Sequence, residues 1–291
     1  MALALRVGAA LMIAAMLLMV KLASEAGVHQ GEIMFWRQFV PAVLLVGWLA
    51  ANRGLHRLKT QRIGAHVRRS AMGMGGMVLV FAAVALLPLA ESTTLSFTAP
   101  LFAVMLTPFV LGERVGPWRW SAVALGFIGV LVIAQPGQST LPLIGAVIGL
   151  GAALSNAIVS FLLRGLGRTE EPISTVFWFS ALGSLMVLPA LPFVITAHTP
   201  YEWAVLIGCG LFGTFGQLLN TAALRLGQVA SVIVMDYTML IWAALFGWLV
   251  WDHLPSPNTW LGAPLIVTAG LVIAWREHRL SRQTASPLDA D

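Results

Sequence analysis

The sequence predicts an all-α integral membrane protein with ten transmembrane helices, arranged as two inverted five-helix repeats with both termini in the cytoplasm. Three observations lead to this fold class: ten long apolar stretches, basic residues confined to one side of them, and similarity between the two halves of the chain. The 291 residues are 58% hydrophobic and 10% charged, with a mean hydropathy of +0.86. This composition exceeds what the core of a soluble domain requires.

Ten apolar stretches follow one another along the chain, and each is long enough to cross a bilayer. A helix needs about 20 apolar residues to cross roughly 30 Å of hydrocarbon. Short connections separate the stretches, so successive spans cross in opposite directions. The predicted spans are Leu3–Ser24, Gln30–Ala51, Ser70–Leu89, Ser92–Leu111, Pro117–Ala134, Leu141–Leu163, Pro172–Pro192, Pro200–Leu224, Gln228–Val250 and Pro257–Trp275.

The basic residues indicate the orientation. Fifteen of the 17 lysines and arginines, Arg6 and Arg69 among them, lie at the termini or in the connections after spans two, four, six and eight. The connections after the odd-numbered spans hold none. Because basic loops are retained in the cytoplasm, both termini are predicted to lie inside, in a bacterial inner membrane. The pI near 10.3 then reflects topology and contact with anionic lipid headgroups, and no nucleic-acid partner is expected.

The first apolar stretch has a competing interpretation as a secretory signal peptide. Arg6 precedes an apolar run, and Ala23 is a small residue near its end. Removal of residues 1–25 would leave nine spans and place one terminus on the other side, which disfavours this interpretation. The single cysteine, Cys209, lies inside span eight, so no disulfide framework is expected.

The two halves of the chain resemble each other at an offset of about 140 residues. The sequence predicts a first repeat over residues 1–138, a second over 139–276 and a cytoplasmic tail over 277–291. An odd number of spans per repeat makes the second copy enter the membrane from the opposite face, which is typical of transporters that work by alternating access. The alternative is a relic of assembly without alternating access. The matching pairs are Phe35-Trp36 with Phe177-Trp178, Glu113 with Asp252, and residues 129–134 with 270–274.

The chain resembles the drug/metabolite transporter superfamily, and within it the EamA-type exporters with five plus five helices. The resemblance covers Leu3 to Arg276, and among members the chain is most similar to bacterial aromatic amino acid exporters. It implies a central cavity lined by helices of both halves, with spans five and ten at the periphery. Asp252-His253 departs from the Gly-Glu pair often found at that point. The residues that carry the resemblance are Lys21, Arg37, Pro100-Leu101-Phe102, Leu111-Gly112-Glu113 and the glycine-rich fifth span from Gly126.

Lys21, Arg37 and Asp236 are charged residues inside predicted spans, where charge costs roughly 2.5–3.5 kcal/mol on insertion scales. Lys21 is near the end of span one, where its stem either anchors the helix structurally or serves an outer site. Counting about 1.5 Å per residue, Arg37 and Asp236 both fall near the midplane. In one hypothesis they pair and hold spans two and nine together. In the other, Arg37 binds the carboxylate of an amino acid and Asp236 binds its ammonium group.

Uncharged polar residues form stripes on two spans. Gly213, Gln217 and Asn220 share one face of span eight, and Asn156 lies in a similar stripe of span six. A polar face on a membrane helix contacts either protein or water. We therefore expect Gln217 and Asn156 to donate hydrogen bonds to a substrate, or alternatively to join helices.

Aromatic residues and methionines deep in the spans predict an adaptable apolar wall for a flat ring, or alternatively ordinary core. Prolines and a glycine predict hinges, or alternatively close packing. The wall residues are Met16, Met74, Met77, Phe81, Phe102, Trp178, Tyr237 and Trp242, and the hinge residues are Gly76, Pro100 and Pro108.

The predicted function is export of amino acids, aromatic or hydrophobic ones above all, or of related small metabolites. Efflux of cationic aromatic drugs is an alternative that would need Asp236 but not Arg37, and a membrane protein that transports nothing is another. All six histidines are expected in loops or at termini, and no nucleotide-binding motif occurs. We therefore expect no enzyme activity, cofactor or metal. Asp236 is the only deep acid available to carry a proton, and facilitated diffusion is the simpler expectation. Monomer or oligomer stays open.

Overall fold

The computed structural model of the chain describes residues 2–112, 115–134, 142–166, 169–226 and 235–285. These residues form helices without a β-strand. Glu113 of the predicted motif, the first residues of span nine, and the end of the predicted tail lie outside the described residues.

Twelve α-helices occupy the described residues: α1 Ala2–Glu25, α2 Gln30–Ala51, α3 Ile63–Leu86, α4 Leu89–Ser96, α5 Ala99–Leu111, α6 Pro117–Ala134, α7 Leu143–Leu166, α8 Pro172–Val187, α9 Leu191–Val194, α10 Pro200–Leu226, α11 Thr238–Trp251 and α12 Pro257–Ala285. Nine helical segments of the described residues are long and apolar enough to cross a membrane, and Met235–Trp251 is a shorter apolar helix. The chain is therefore a multi-pass membrane protein.

Span three is longer than the sequence predicted. Its helix begins at Ile63 instead of Ser70, so His66 and Arg69 belong to the helix and both are buried. The prediction began the span after Arg68 and Arg69, on the assumption that these charged residues face water. That assumption is wrong for Arg69, and the expectation that every histidine lies in a loop is wrong for His66.

Span four is divided into α4 and α5 at Phe97-Thr98. Pro100 has no N–H to donate to the carbonyl of Ser96, and in a continuous helix its ring would clash with that carbonyl. The helix therefore ends at Ser96 and begins again at Ala99, with Pro100 in its first turn. Pro108 lies inside α5, which ends at Gly112 in the left-handed conformation (φ +69°).

Helices of the first half pack on helices of the second half in a reciprocal pattern. α1 packs on α10 and α3 on α7, while α2 packs on α8 and α6 on α12. In addition α1 contacts α11, and α4 and α5 contact α7. Thus the first span of each half packs on the third span of the other half. The second spans of the two halves pack on each other, and so do the fifth spans.

The pair α6 and α12 is joined by two glycines. A Cβ atom added at Gly129 would lie 2.7 Å from the carbonyl oxygen of Gly262, and one added at Gly262 would lie 2.6 Å from that of Gly129. Only residues without a side chain allow the two backbones to approach this closely. Both helices expose large apolar residues on their other faces, for example Leu131 and Leu261.

The main core cluster lies between α1, α2, α3, α8 and α10. It contains four buried methionines, together with the buried side chains of Phe81, Phe179 and Cys209; the methionines are Met16, Met34, Met74 and Met77. Methionine side chains repack easily around irregular neighbours. Two of these thioethers contact the polar groups of the site described next.

Candidate functional site

A cavity of about 330 Å³ lies between the two halves of the chain. From the first half, Arg37 and Pro41 of α2 and Arg69 of α3 line it. The second half contributes the start of α8 and the middle of α10, with Glu170, Thr175, Val176, Phe179, Ser180, Gly213, Thr214, Gln217 and Asn220. The lining is thus mixed, with an aromatic ring, hydroxyls, amides and two guanidinium groups.

The cavity extends from the middle of the bundle to one end. Arg37 and Gly213 lie in the interior parts of α2 and α10, whereas Glu170 precedes α8 in the connection that follows α7. Arg57 and Arg62, between α2 and α3, bond to that connection, at Glu171 and Thr169. We call this end of the bundle, formed by residues 52–62, 165–166 and 169–171, the basic end.

Arg37 is 6% exposed and has only weak or neutral partners among the described residues. Its Nε donates to the thioether sulfur of Met16 (3.0 Å), and its Nη1 donates to Oε1 of Gln38 (2.8 Å). Gln38 is held in turn, because its Nε2 donates to the carbonyl of Phe179 across the two halves. A neutral amide and a sulfur do not balance a guanidinium charge.

Arg69 is the second buried guanidinium of the cavity, at 9% exposure. Its guanidinium carbon lies 3.6 Å from the centre of the Phe179 ring, which is a cation–π contact. Gly73, one turn later on α3, leaves room for that ring, since a Cβ there would lie 2.9 Å from the edge of Phe179. Within the described residues, Nε and Nη1 of Arg69 have no hydrogen-bond partner.

Glu170 is the acidic residue of the cavity lining, and other groups surround its carboxylate. Thr60 donates to its Oε1 (2.8 Å), and Nε2 of His66 lies 3.4 Å from its Oε2. Among the described residues, no ion pair joins either cavity arginine to an acid. The interior of the cavity therefore carries positive charge without a protein counterion in the described part of the chain.

The predicted amides lie in different places. Gln217 lines the cavity together with Gly213 and Asn220, so the polar stripe of α10 faces it. Asn156 is on an exposed face of α7 instead, with Ser160 donating to its backbone carbonyl. The periodicity located both stripes but carried no information on which direction each helix face points.

Asp236 does not reach Arg37. Both of its carboxylate oxygens accept hydrogen bonds from Arg6 of α1, in a bidentate ion pair. The expected pairing with Arg37 is therefore wrong. The depth estimate assumed one continuous helix from Gln228, whereas Asp236 lies in a 3-10 turn before α11. Arg6 was counted only as a marker of orientation.

The aromatic residues of the predicted wall lie apart from one another. Trp178 donates its Nε1 to the carbonyl of Leu58 at the basic end, and Tyr237 packs edge-on against Phe97. Phe102 packs edge-on against Phe127 of α6. Trp242 lies partly buried on α11. None of these four rings is among the residues that line the cavity.

The methionines and Phe81 form core around the site instead of an open wall. Met16 accepts a hydrogen bond from Arg37, and Met74 accepts one from Gln38. Met77 and Phe81 are buried in the same cluster. Gly76 packs on α7, where an added Cβ would lie 2.5 Å from the hydroxyl oxygen of Ser155. A hinge at Gly76, Pro100 or Pro108 stays a prediction.

Lys21 has a structural contact that the sequence did not reveal. It is buried, and its Nζ donates to the carbonyls of Val84 (3.1 Å) and Leu87 (2.7 Å). The last carbonyls of a helix have no partner within that helix, so Lys21 caps the end of α3. Its Nζ also lies 5.6 Å from the ring centre of Trp251. The side chain thus binds protein and does not extend to the surface.

At the end opposite the basic end, a carboxylate–histidine–carboxylate cluster joins the two halves. His198, before α10, places Nε2 2.6 Å from Glu32 of α2 and Nδ1 3.1 Å from Glu202. Burial opposes a charge on the ring, but the two hydrogen-bonded carboxylates outweigh it and raise the pKa of His198 above its ordinary value of 6.5. Trp36 and Trp203 pack edge to face beside the cluster.

Several residues of the site were missed by sequence reasoning. Arg69 was assigned to a loop, and Gln38, Phe179 and Glu170 were not singled out. One signal was available for Arg69: it lies one turn before Gly73, and a long cation followed at i+4 by a glycine leaves space for a ring between them. Glu32 and His198 are 166 residues apart, so no local pattern could have joined them.

These features define a class of protein: a polytopic helical membrane protein with a charged cavity between its two halves. The chain belongs to the EamA-like transporter family, whose model matches residues 1–135 and again residues 143–275. It is therefore a membrane transporter of the drug/metabolite superfamily, as the sequence motifs indicated.

Several curated relatives are similar over most of their length. The chain is 31% identical to a riboflavin transporter of Brucella anthropi over 265 residues, which cover 89% of this chain and 93% of that protein. It is 30% identical to the pseudopaline exporter CntI of Pseudomonas aeruginosa, over 86% of this chain and 88% of that one. It is 27% identical to an S-adenosylmethionine uptake transporter of Rickettsia prowazekii, over 86% and 85%.

The fold also matches a solved structure. A chain described as "Crystal structure of protein" superposes with a TM-score of 0.62 at 20% identity, covering 94% of this chain and 98% of that chain. At this identity the match supports the fold alone.

Proposed function

We propose that the protein exports small organic metabolites, amino acids among them, from the cytoplasm by alternating access. The observation that carries the proposal is the charged cavity between the two family-matched halves, which extends to the basic end while the Glu32–His198 contact joins the halves at the other end. Exchanging which end is closed would expose the same site to the other side of the membrane.

The proposed orientation follows from the arginines. With the basic end and both termini in the cytoplasm of a bacterial cell, the cavity would be accessible from inside, and the described state would be inward-facing. The reciprocal packing of α1 on α10 and α3 on α7 supports two inverted repeats over residues 1–138 and 139–276, because two related halves would exchange equivalent contacts in this way.

The relatives do not decide the substrate or the direction. They are named for riboflavin, pseudopaline and S-adenosylmethionine, and for both export and uptake. Efflux of cationic aromatic drugs has less support than export of amino acids, since the acid it would use, Asp236, is bound by Arg6. The same ion pair occupies both carboxylate oxygens of Asp236, and we propose facilitated transport in which Asp236 carries no proton.

The experiment is flux from proteoliposomes. The purified chain is reconstituted in liposomes loaded with tryptophan, phenylalanine, threonine, riboflavin or S-adenosylmethionine, and efflux is measured with and without an imposed proton gradient. Efflux of an amino acid that is independent of the gradient is the expected result. Strict dependence on the gradient would refute facilitated transport, and flux of none of these solutes would count against the proposal.

A further inference from the structure

The cavity holds two like charges and, within the described residues, no protein counterion for either. Arg37 and Arg69 are each more than nine-tenths buried, and neither forms an ion pair with a described acid. Glu170 at the basic end is occupied by Thr60 and His66. Burying a charge without a partner costs several kcal/mol, and an anion bound between the two cations would offset that cost.

The two guanidinium groups are also held in place. Phe179 stacks on Arg69, and Gln38 orients Arg37 while it bonds to the backbone of Phe179. Gly213 lets α10 approach Arg37, since a Cβ there would lie 2.9 Å from its Nε. A site whose side chains are fixed before a ligand arrives loses less freedom on binding.

Arg69 lines the cavity and carries buried donors without a partner among the described residues. Nε and Nη1 of Arg69 have no partner in the described part of the chain, although they are buried and Arg69 lines the cavity. A guanidinium group binds oxygen atoms of carboxylates and phosphates through several N–H donors at once. The hydroxyls of Thr175 and Ser180 provide further polar contacts beside it.

We propose that Arg69, together with Arg37, forms the substrate's oxyanion subsite, which binds a carboxylate or phosphate group inside the cavity. The inference rests on the proposed function and deepens it, because it specifies the chemical group by which a transported metabolite is recognised. The proposal also changes which part of the substrate each charged residue is expected to bind. Both positive residues act on the same negative group, whereas the sequence suggested that Arg37 and Asp236 bind opposite ends of a zwitterion.

Binding to the purified full-length chain in an uncharged detergent tests the subsite without requiring flux. Isothermal titration compares N-acetylphenylalanine with N-acetylphenylalaninamide, which differ in the carboxylate alone. The acid is expected to bind and the amide to bind at least about tenfold more weakly, since a hydrogen bond to a charged group contributes about 1.5–3 kcal/mol. Phenyl phosphate distinguishes a phosphate substrate from a carboxylate substrate. If it binds more tightly than N-acetylphenylalanine, the substrate group is a phosphate, and if it binds more weakly, the group is a carboxylate.

Variants assign the effect to the residues. Arg69→Gln and Arg37→Gln are each expected to weaken binding of the acid about tenfold or more. Arg68→Gln is the matched control, because it makes the same change one residue away on the same helix at an exposed position. Equal binding of acid and amide to the unmodified chain overturns the subsite, and so does unchanged affinity in Arg69→Gln or binding of none of the three probes.

The outcomes separate the subsite from the transport proposal. Solute flux without any preference for acids would overturn the subsite and leave transport intact. Acid binding lost in Arg69→Gln, with no flux of any solute, would support the subsite and refute the proposed export. Because the comparison of acid with amide uses the unmodified chain, it does not depend on whether the variants fold.

Discussion

At the scale of single residues, buried charges in this protein have specific and very different partners. Lys21 binds backbone carbonyls, Asp236 binds one arginine, and His198 lies between two carboxylates. The cavity arginines have no ion-pair partner among the described residues. Each satisfied charge fixes the position of a helix, and the unsatisfied pair marks the place where a ligand completes the structure.

Lys21→Met tests the cap of α3. The substitution keeps the apolar stem but removes the donor, leaving the carbonyls of Val84 and Leu87 without it. A buried acceptor without a partner costs about 1–3 kcal/mol, so the midpoint of thermal unfolding in detergent should fall. Lys59→Met, the same change at an exposed position, should leave the midpoint unchanged. Equal midpoints for both variants would contradict the cap.

His198 predicts a dependence of stability on pH. Its folded-state pKa is raised above the ordinary value of 6.5, so the folded protein holds the proton more tightly than the unfolded chain. The stabilisation is therefore complete below about pH 6.5 and is lost as the pH rises through the raised pKa. Thermal unfolding followed from pH 5.5 to 8.5 measures this slope.

The control for that slope is a pair of histidine variants. His198→Gln should flatten the dependence in this range, because the group that titrates is gone. His253→Gln, at an exposed position after α11, should keep it. If the slope of His198→Gln equals that of the unmodified protein, other groups cause it and the cluster has no such role.

At the scale of helices, proline and glycine determine where backbones break and where they touch. Pro100 ends α4 and starts α5, and Pro41 in the middle of α2 cannot donate to the carbonyl of Arg37, at the wall of the cavity. Gly129 and Gly262 do the opposite, bringing α6 and α12 into backbone contact. The break and the contact are both local consequences of side-chain chemistry.

Gly262→Val tests the contact between α6 and α12. A Cβ at this position would lie 2.5 Å from Ile133 and 2.6 Å from the carbonyl of Gly129, so the helices must separate. Such overpacking costs about 1–3 kcal/mol, which should lower the thermal midpoint. Gly75→Val on α3, with nothing within 4 Å of the added Cβ, carries the same change in helix propensity without a clash. A smaller effect at Gly262 than at Gly75 would refute the contact.

At the scale of the whole molecule, the two ends of the bundle differ. One end is crossed by the buried Glu32–His198 contact between the halves, whereas the cavity extends to the basic end. Cys209 is completely buried and is the single cysteine of the chain, so introduced cysteines can be labelled individually.

Cysteine labelling in sealed vesicles tests this asymmetry. Asn220→Cys lines the cavity and should react with a membrane-impermeant maleimide added from the side of the basic end, because water reaches the cavity from there. Leu218→Cys, two residues away and exposed on the outer face of α10, should stay unlabelled inside the bilayer. Labelling of Asn220→Cys only from the opposite side would reverse the proposed access.

The sequence predicted the features that depend on local chemistry. Hydropathy located the spans, the position of Pro100 marked the interruption of span four, and periodicity grouped Gly213 and Gln217 on one face of α10, which the structure places at the cavity. Family motifs gave the fold and the class of transporter. Such patterns are visible because span length, helix periodicity and backbone geometry are properties of neighbouring residues.

Only the tertiary structure decided which charges meet. Asp236 could face Arg37 or Arg6 by sequence alone, and the ion pair formed with a residue 230 positions away. Arg69 changed from a loop marker to a cavity residue because the ring of Phe179, from the other half, covers it. Charge pairing depends on distances of a few ångströms between helices, and these are fixed by how all helices pack together, which no local pattern encodes.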